Sequence, residues 1–267
     1  MRLRIKNTII FILFALSCES CSNPTHSLPG YIEGEYTYIS SAVGGILFNL
    51  HAVRGQQVKA GDLLYTLDPE PEKSYVKMLK ANIADLQAQV VFRKAQLQRQ
   101  QALYAKKFAS QEILDAAQTE LSSKTQQLAA DHAQLAQGEW TLQQKTIYAP
   151  VYGEIFDTFY RVGERVQASH PVLAILSPKN IKVLFYVPEK WLSQIKLGEK
   201  IKFTCDSCEK NISAKIIFIS PEAEYTPPVI YSKDTRDKLV FLVRAEMPED
   251  IAKHFHPGQP ITVDMSP

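Results

Sequence analysis

The chain has 267 residues, 45% of them hydrophobic and 22% charged, with a formal net charge of +2. That length allows two or more modules rather than one core, and the composition is that of a folded protein rather than a disordered one. Arg2, Arg4 and Lys6 stand in a leader of 17 residues without an acid, so the remainder carries a net −1. No global basic field is left to attract nucleic acid.

The leader reads as an export signal. Its three basic residues are followed by the apolar run Ile9 to Leu16, and then by Ser17, Cys18, Ser20 and Cys21. The run is too short for a stable membrane span, so residues 1–17 are expected to be a signal peptide. Ala15-Leu16-Ser17-Cys18 resembles a bacterial lipoprotein processing box, with Ala15 where such boxes usually carry Leu. That resemblance implies lipidation of Cys18. The other reading is ordinary cleavage near Cys21 with an untethered product. In both, the mature chain leaves the cytoplasm. Residues 18–30 read as a linker.

Residues 72–137 contain neither glycine nor proline and are rich in Gln, Ala, Leu and Lys, all good helix formers. Val76, Ile83, Val90, Leu97 and Tyr104 are spaced by seven, with Leu79 and Leu86 three after two of them. Leu114, Leu121, Leu128, Leu135 and Leu142 form a second series out of phase with the first. A seven-residue period favours helices wound around each other. The phase breaks at Ala105 to Ser110, and Ser110 is placed to cap a new helix with Glu112 in its first turn. Two long helices with a short connection fold back antiparallel, which predicts a coiled-coil hairpin about 50 Å long over residues 70–145.

The flanks of this hairpin repeat each other. At an offset of 108, Gly45 matches Gly153, Gly55 matches Gly163, Val58 matches Val166 and Ala60 matches Ala168. Leu47 and Ile155, Leu64 and Val172, and Leu67 and Ile175 match in kind. Each copy has short β-rich runs punctuated by glycine and is too small to close a core alone. Residues 31–69 and 146–178 together predict one small β-sandwich with the hairpin inserted between its halves.

At this point a family resemblance emerges. Ala42-Val43-Gly44-Gly45-Ile46, the run Val53 to Leu64, and Ala149 to Ile155 resemble the two half-motifs of the HlyD-type membrane-fusion, or periplasmic adaptor, family. The resemblance runs from about residue 30 to the end. It implies an α+β fold: an elongated, split lipoyl-like β-sandwich interrupted by a long antiparallel coiled-coil hairpin and followed by a small β-barrel. It also implies a non-enzymatic subunit that links an inner-membrane transporter to a TolC-type outer-membrane channel, and a homo-oligomeric ring. Lipoyl and biotinyl carriers share such a sandwich but bear the cofactor on a lysine in a tight turn between the halves. Here the nearest lysine, Lys73, starts a long helix without a matching motif, and no cofactor is expected.

From residue 179 the period changes to two. Ile181–Val187, Ile201–Thr204, Ile212–Ile219, Leu239–Ala245 and Ile261–Asp264 read as strands of a small barrel over residues 179–267, with a helical turn after Pro188. Ala223 to Ser232, with Arg236 and Lys238 to Phe241, resembles the branch of the family that serves ABC-type exporters, which implies an ATPase and a permease as partners. Cys205-Asp206-Ser207-Cys208 stands at a turn between two strands. It reads as a disulfide across that turn, as a reactive pair, or as half of a metal site that lacks its second half. No G-x-S-x-G, phosphate-loop, dinucleotide or zinc-protease motif occurs. No catalytic constellation, cofactor or metal is expected.

Near the hairpin turn, Arg99, Leu103 and Ser110 have the Arg-x3-Leu-x6-Ser spacing that resembles the tip motif by which such adaptors engage a TolC-type channel. Arg99 and Leu103 stand at i and i+4, on one helix face. The alternative at the tip is that Leu103 packs, Ser110 only caps and Arg99 is solvated; the alternative for the whole chain is a structural coiled-coil envelope lipoprotein without a transport role.

Overall fold

The computed structural model describes residues 27–206, 208, 212–225 and 239–265. The leader, Cys18, and residues 226–238 with Arg236 lie outside them. The strands are β1 (Ser27–Gly34), β2 (Thr37–Ser40), β3 (Gly45–Leu50), β4 (Gln57–Val58), β5 (Leu63–Leu67), β6 (Thr146–Tyr148), β7 (Gly153–Thr158), β8 (Arg165–Val166) and β9 (Pro171–Leu176). After them come β10 (Ile181–Pro188), β11 (Lys200–Thr204), β12 (Ile212–Tyr225), β13 (Leu239–Glu246) and β14 (Pro260–Asp264). The helices are α1 (Glu70–Ala105), α2 (Gln111–Gln143), and the single turns α3 (Glu189–Leu192) and α4 (Glu249–Ala252). Two compact units result, Tyr36–Ser177 and the pairing of the segment up to Glu35 with Pro178–Pro267.

In the first unit, two four-stranded sheets with orders β2-β9-β7-β4 and β6-β5-β3-β8 enclose one core. The residues that match across the repeat fill it. Leu47 and Ile155, Val58 and Val166, Leu64 and Val172, Tyr65 and Leu173, and Leu67 and Ile175 are all buried. The halves also exchange backbone bonds reciprocally. Gly55 donates to the Ile155 carbonyl at 2.8 Å, and Gly163 donates to the Leu47 carbonyl at 2.8 Å. In return Ile155 donates to Gln56 at 2.9 Å and Leu47 to Glu164 at 2.8 Å. β4 pairs with β7 and β3 with β8, so each half completes the other half's sheet.

One turn recurs through the chain, at Val53–Gln56, Lys59–Asp62, Arg161–Glu164, Lys196–Glu199 and His256–Gln259. Its third residue is a glycine with positive φ, +82° at Gly55 and +94° at Gly163, as a type II turn requires. Its fourth side chain accepts from the first residue's N–H, for example Glu164 from Arg161 at 2.9 Å and Asp62 from Lys59 at 2.7 Å. Gly153 has a different reason to be glycine, because a Cβ there would lie 2.5 Å from the Leu176 carbonyl oxygen.

The hairpin helices have 36 and 33 residues, joined by residues 106–110. Val76, Leu79, Ile83, Leu86 and Leu97 of α1 are buried against α2. The second predicted seam differs from expectation. Leu114, Leu121, Leu128, Leu135 and Leu142 are only half-buried, and the buried positions of α2 are Ala117 and Gly138. A helix with one facing partner closes tightly only where small residues let the backbones approach. A Cβ at Gly138 would come within 3.2 Å of Leu79 Cδ1. The first seam frays towards the turn, with Val90 half-buried and Tyr104 exposed. Lys80–Glu139 at 2.9 Å and Arg93–Glu120 at 2.6 Å set the register of the arms.

The second unit is a closed barrel, β1-β10-β13-β12-β11-β14, which leaves no free sheet edge. Its first strand corrects two expected boundaries. Residues 27–30 are not linker, and 31–34 do not belong to the sandwich. Ser27–Gly34 runs antiparallel to both β10 and β14. Leu28 and Ile32 are buried in the barrel core, and Gly30 is packed so closely that a Cβ would fall 2.5 Å from the Leu184 carbonyl oxygen. Gly30 stands where a backbone comes close, and Pro29 pairs with β14 one residue before the pairing with β10 begins, a position that tolerates a missing N–H. Arg244 joins β13 to β1 through Glu33, Nε to Oε2 at 2.9 Å. Cys205 and Cys208 are joined as a disulfide with Cα atoms 5.1 Å apart. Gln259 Nε2 lies 3.1 Å from the Cys205 sulfur.

Candidate functional site

The hairpin has two ends, a root in the sandwich and a tip at the turn. At the root, Lys145 follows α2 and is almost fully buried, 4% exposed. Its Nζ meets Glu72 Oε1 of α1 at 2.8 Å and donates to the Gly44 carbonyl at 2.9 Å. Its own carbonyl accepts from Leu67 N–H of β5 at 2.8 Å. Ser41 Oγ donates to the Gln144 carbonyl at 2.8 Å. Thus one ammonium ties the start of α1, the end of α2 and the loop before β3. Gly45 leaves room for it, since a Cβ there would lie 3.0 Å from Nζ. Sequence reasoning missed Lys145, because nothing in spacing distinguishes a buried lysine from a solvated one.

At the tip, α1 ends in a paired reverse bond. Phe108 N–H donates to the Leu103 carbonyl at 2.9 Å and Lys107 N–H to the Tyr104 carbonyl at 2.9 Å. This is the Schellman arrangement, whose left-handed position is usually glycine. Here Lys107 holds it, with φ +63°. Ser110 then caps α2 by accepting from Ile113 N–H at 3.4 Å. Arg99 and Leu103 lie on the last two turns of α1, both exposed. Phe108, which the sequence placed in the break between the helices without a role, is 78% exposed, and Tyr104 and Ile113 on the adjoining helix ends are also exposed. The tip therefore offers an apolar cap with one guanidinium one turn below Leu103. The signal available in sequence was an aromatic in a five-residue connection.

No helix among the described residues is long and apolar enough to cross a membrane, and no cluster of metal-ligating side chains is present among them. The architecture is that of a barrel joined to a β-sandwich whose halves flank a helical hairpin, the arrangement of membrane-fusion, or periplasmic adaptor, proteins. The family description "RND MFP, barrel-sandwich hybrid domain" matches residues 35–177, and the chain belongs to that membrane-fusion protein family of tripartite efflux systems. Among curated relatives, a UPF0194 membrane protein of Acidithiobacillus ferridurans is 27% identical over 86% of this chain and 84% of its own length. The UPF0194 membrane protein of Citrobacter koseri is 28% identical over 90% of this chain and 88% of its own length. Among solved structures, MacA from Actinobacillus actinomycetemcomitans superposes with a TM-score of 0.69 at 22% identity, covering 91% of this chain and 78% of that one. A membrane fusion protein from Streptococcus pneumoniae gives 0.68 at 15% identity, covering 90% and 98%.

Removing one partner from a buried ion pair leaves the other charge uncompensated. Lys145→Ala is expected to destabilise the protein by about 3 kcal/mol, the low end of that range because Glu72 keeps some solvent contact. Chemical denaturation followed by circular dichroism measures this. A loss below about 1 kcal/mol would show that the root pair behaves as a surface ion pair.

Proposed function

We propose that this chain is the periplasmic adaptor of a tripartite export system. It forms a homo-oligomeric ring, is held to a cell membrane by lipid on Cys18, and links an inner-membrane transporter to a TolC-type outer-membrane channel. The observation that supports this best is the tip. Arg99 and Leu103 share one exposed face beside a Ser110-capped turn, as the resemblance implies for channel contact. A guanidinium there is able to donate several hydrogen bonds to carbonyls or carboxylates, and the apolar residues exclude water around them. The transporter is proposed to be of the ABC type, on the resemblance of Ala223 to Ser232 and Arg236. The family description names RND systems, which is the competing class.

Crosslinking in cells tests the assembly. The wild type is expected to capture a transporter and a channel, and the captured transporter decides between an ATPase-coupled permease and an RND pump. Arg99→Asp is expected to fold and associate normally, since an exposed charge seldom matters for stability, yet to lose channel crosslinks and export. Wild-type export by that variant at equal protein level would remove the tip assignment, whereas a wild type that captures neither transporter nor channel would leave a structural envelope lipoprotein as the reading.

The anchor is tested separately. Cys18→Ser is expected to abolish incorporation of labelled fatty acid and to move the protein from the membrane to the soluble fraction, because one acyl chain binds a membrane only marginally, several anchor it stably, and the variant has none. Continued labelling of the variant would place the lipid on another residue, and a wild type that takes up no label would remove the anchor.

The Cys205–Cys208 bond is proposed to persist in the exported protein. Closing so small a loop constrains the unfolded chain little, so its loss should cost little stability. Alkylation of the purified protein without reductant should leave both thiols unlabelled, and labelling of both would refute it.

A further inference from the structure

The outside of the barrel carries lysines in an arrangement that the fold does not require. Strand register places Lys182 of β10, Glu246 of β13, Lys215 of β12 and Lys200 of β11 in one row across four adjacent strands. Their chain neighbours Val183, Ala245, Ile216 and Ile201 are buried in the core, so the row points outward. Lys200 and Lys215 stand directly opposite each other. Like charges so placed destabilise a strand pair. Neither ammonium makes an ion pair or a side-chain hydrogen bond among the described residues. Glu246 stands between Lys182 and Lys215, yet its carboxylate forms an ion pair with neither.

This row borders a cavity of about 570 Å³ that opens to solvent. Lys179 lines it from the 3-10 turn Pro178–Asn180, which packs against α4. Lys182 Nζ donates to the Lys179 carbonyl at 2.8 Å, which holds a second ammonium beside that turn. The Lys179 ammonium itself has no partner among the described residues. Met247, only 7% exposed, and Pro248 give the cavity an apolar wall. Four ammonium groups line it with two carboxylates, those of Glu246 and Glu249, so it carries a formal +2. A solvated row of charges needs no cavity, and it gains nothing from setting two lysines face to face.

We infer that this cavity binds a phosphate monoester, the headgroup of a lipid or a soluble ester. The charge matches, because a phosphate monoester carries about −1.5 to −2 near neutral pH. A carboxylate or a phosphate diester, with a single charge, leaves the cavity positive. The shape matches as well. A tetrahedral phosphate presents oxygens in several directions, and the ammonium groups come from the 3-10 turn, β10, β11 and β12. Lysine serves phosphate in this way, as a point charge, whereas the planar fork of arginine suits planar carboxylates also; no arginine lines the cavity among the described residues. A bound anion relieves the opposition of Lys200 and Lys215. The apolar wall suits the carbon skeleton of the ester, and the volume is that of a small-molecule pocket. The site lies within the barrel unit and does not depend on the export reading.

Isothermal titration calorimetry on the full-length chain in detergent, with detergent-only titrations subtracted, tests it. The probes are phenyl phosphate, phenyl sulfate, glycerol 3-phosphate and dihexanoyl phosphatidic acid. Phenyl phosphate should bind saturably with Kd below about 1 mM. It should bind at least ~10-fold tighter than phenyl sulfate, which has the same ring and one charge. Dihexanoyl phosphatidic acid binding at least ~10-fold tighter than glycerol 3-phosphate supports the site with a lipid as its source, and a smaller difference supports it with a soluble ester. Lys200→Gln with Lys215→Gln should weaken phenyl phosphate at least ~10-fold, through the loss of charge-assisted hydrogen bonds. The melting temperature of that variant should be unchanged or raised, because the opposed charges are gone. Glu246→Gln should tighten phenyl phosphate by ~3-fold or more, a gain that misfolding does not produce. No saturable binding of phenyl phosphate, equal binding of phenyl sulfate, a double variant that binds like the wild type, or a Glu246→Gln chain that binds no better overturns the proposal. The Glu246→Gln result decides where the double variant loses its fold.

Discussion

The sandwich depends on an exchange of backbone hydrogen bonds between segments 108 residues apart. Gly55 and Gly163 each donate into the other half, and Ile155 and Leu47 return the bond. Neither half satisfies its own strands, so a buried polar backbone forces both to be present before either is stable. The chain between them must leave and return to nearly the same place. An antiparallel helical pair does that without consuming either sheet, because its backbone groups are satisfied within each helix.

The same exchange makes the root the critical junction. The α1 start and α2 end emerge beside each other, where polar groups of three segments converge in an apolar setting. Lys145 resolves this by giving Glu72 and the Gly44 carbonyl one shared donor. An apolar residue of similar length would pack there but leave Glu72 and Gly44 without that partner. The lysine thus couples the direction of the hairpin to the sheets, and Gly45 is the vacancy that makes it possible.

The repeat, the hairpin and the barrel strands were legible in the sequence because each rests on a period. The offset of 108 became paired core residues, and alternation after residue 179 became strands within a residue of their expected ends, except that the strand expected over Ile212–Ile219 continues to Tyr225 past two register shifts. What was not legible depends on partners rather than on period. Ser27–Gly34 looked like linker because Pro29 and Gly30 signal turns locally, and only Leu184 across the sheet shows why glycine stands there. The leucines of α2 kept their spacing yet remained half-open, since spacing says which face a residue takes and not how closely a second helix can approach. At the tip, Arg99, Leu103 and the Ser110 cap followed from spacing. Phe108 did not, because its exposure comes from a turn that only Lys107 in a left-handed conformation creates.

The anchoring of both arms at one root turns the hairpin into a ruler. Length added equally to α1 and α2 leaves Lys145, Glu72 and the sheets untouched, and seven residues per arm keep the seam in phase while moving the turn outward by roughly 10 Å. The same addition to one arm alone would offset Lys80 from Glu139 and Arg93 from Glu120 and bring the large side chains of α1 against the wrong positions of α2. Reach is therefore a quantity that this architecture can vary in paired steps, independently of the module that holds it.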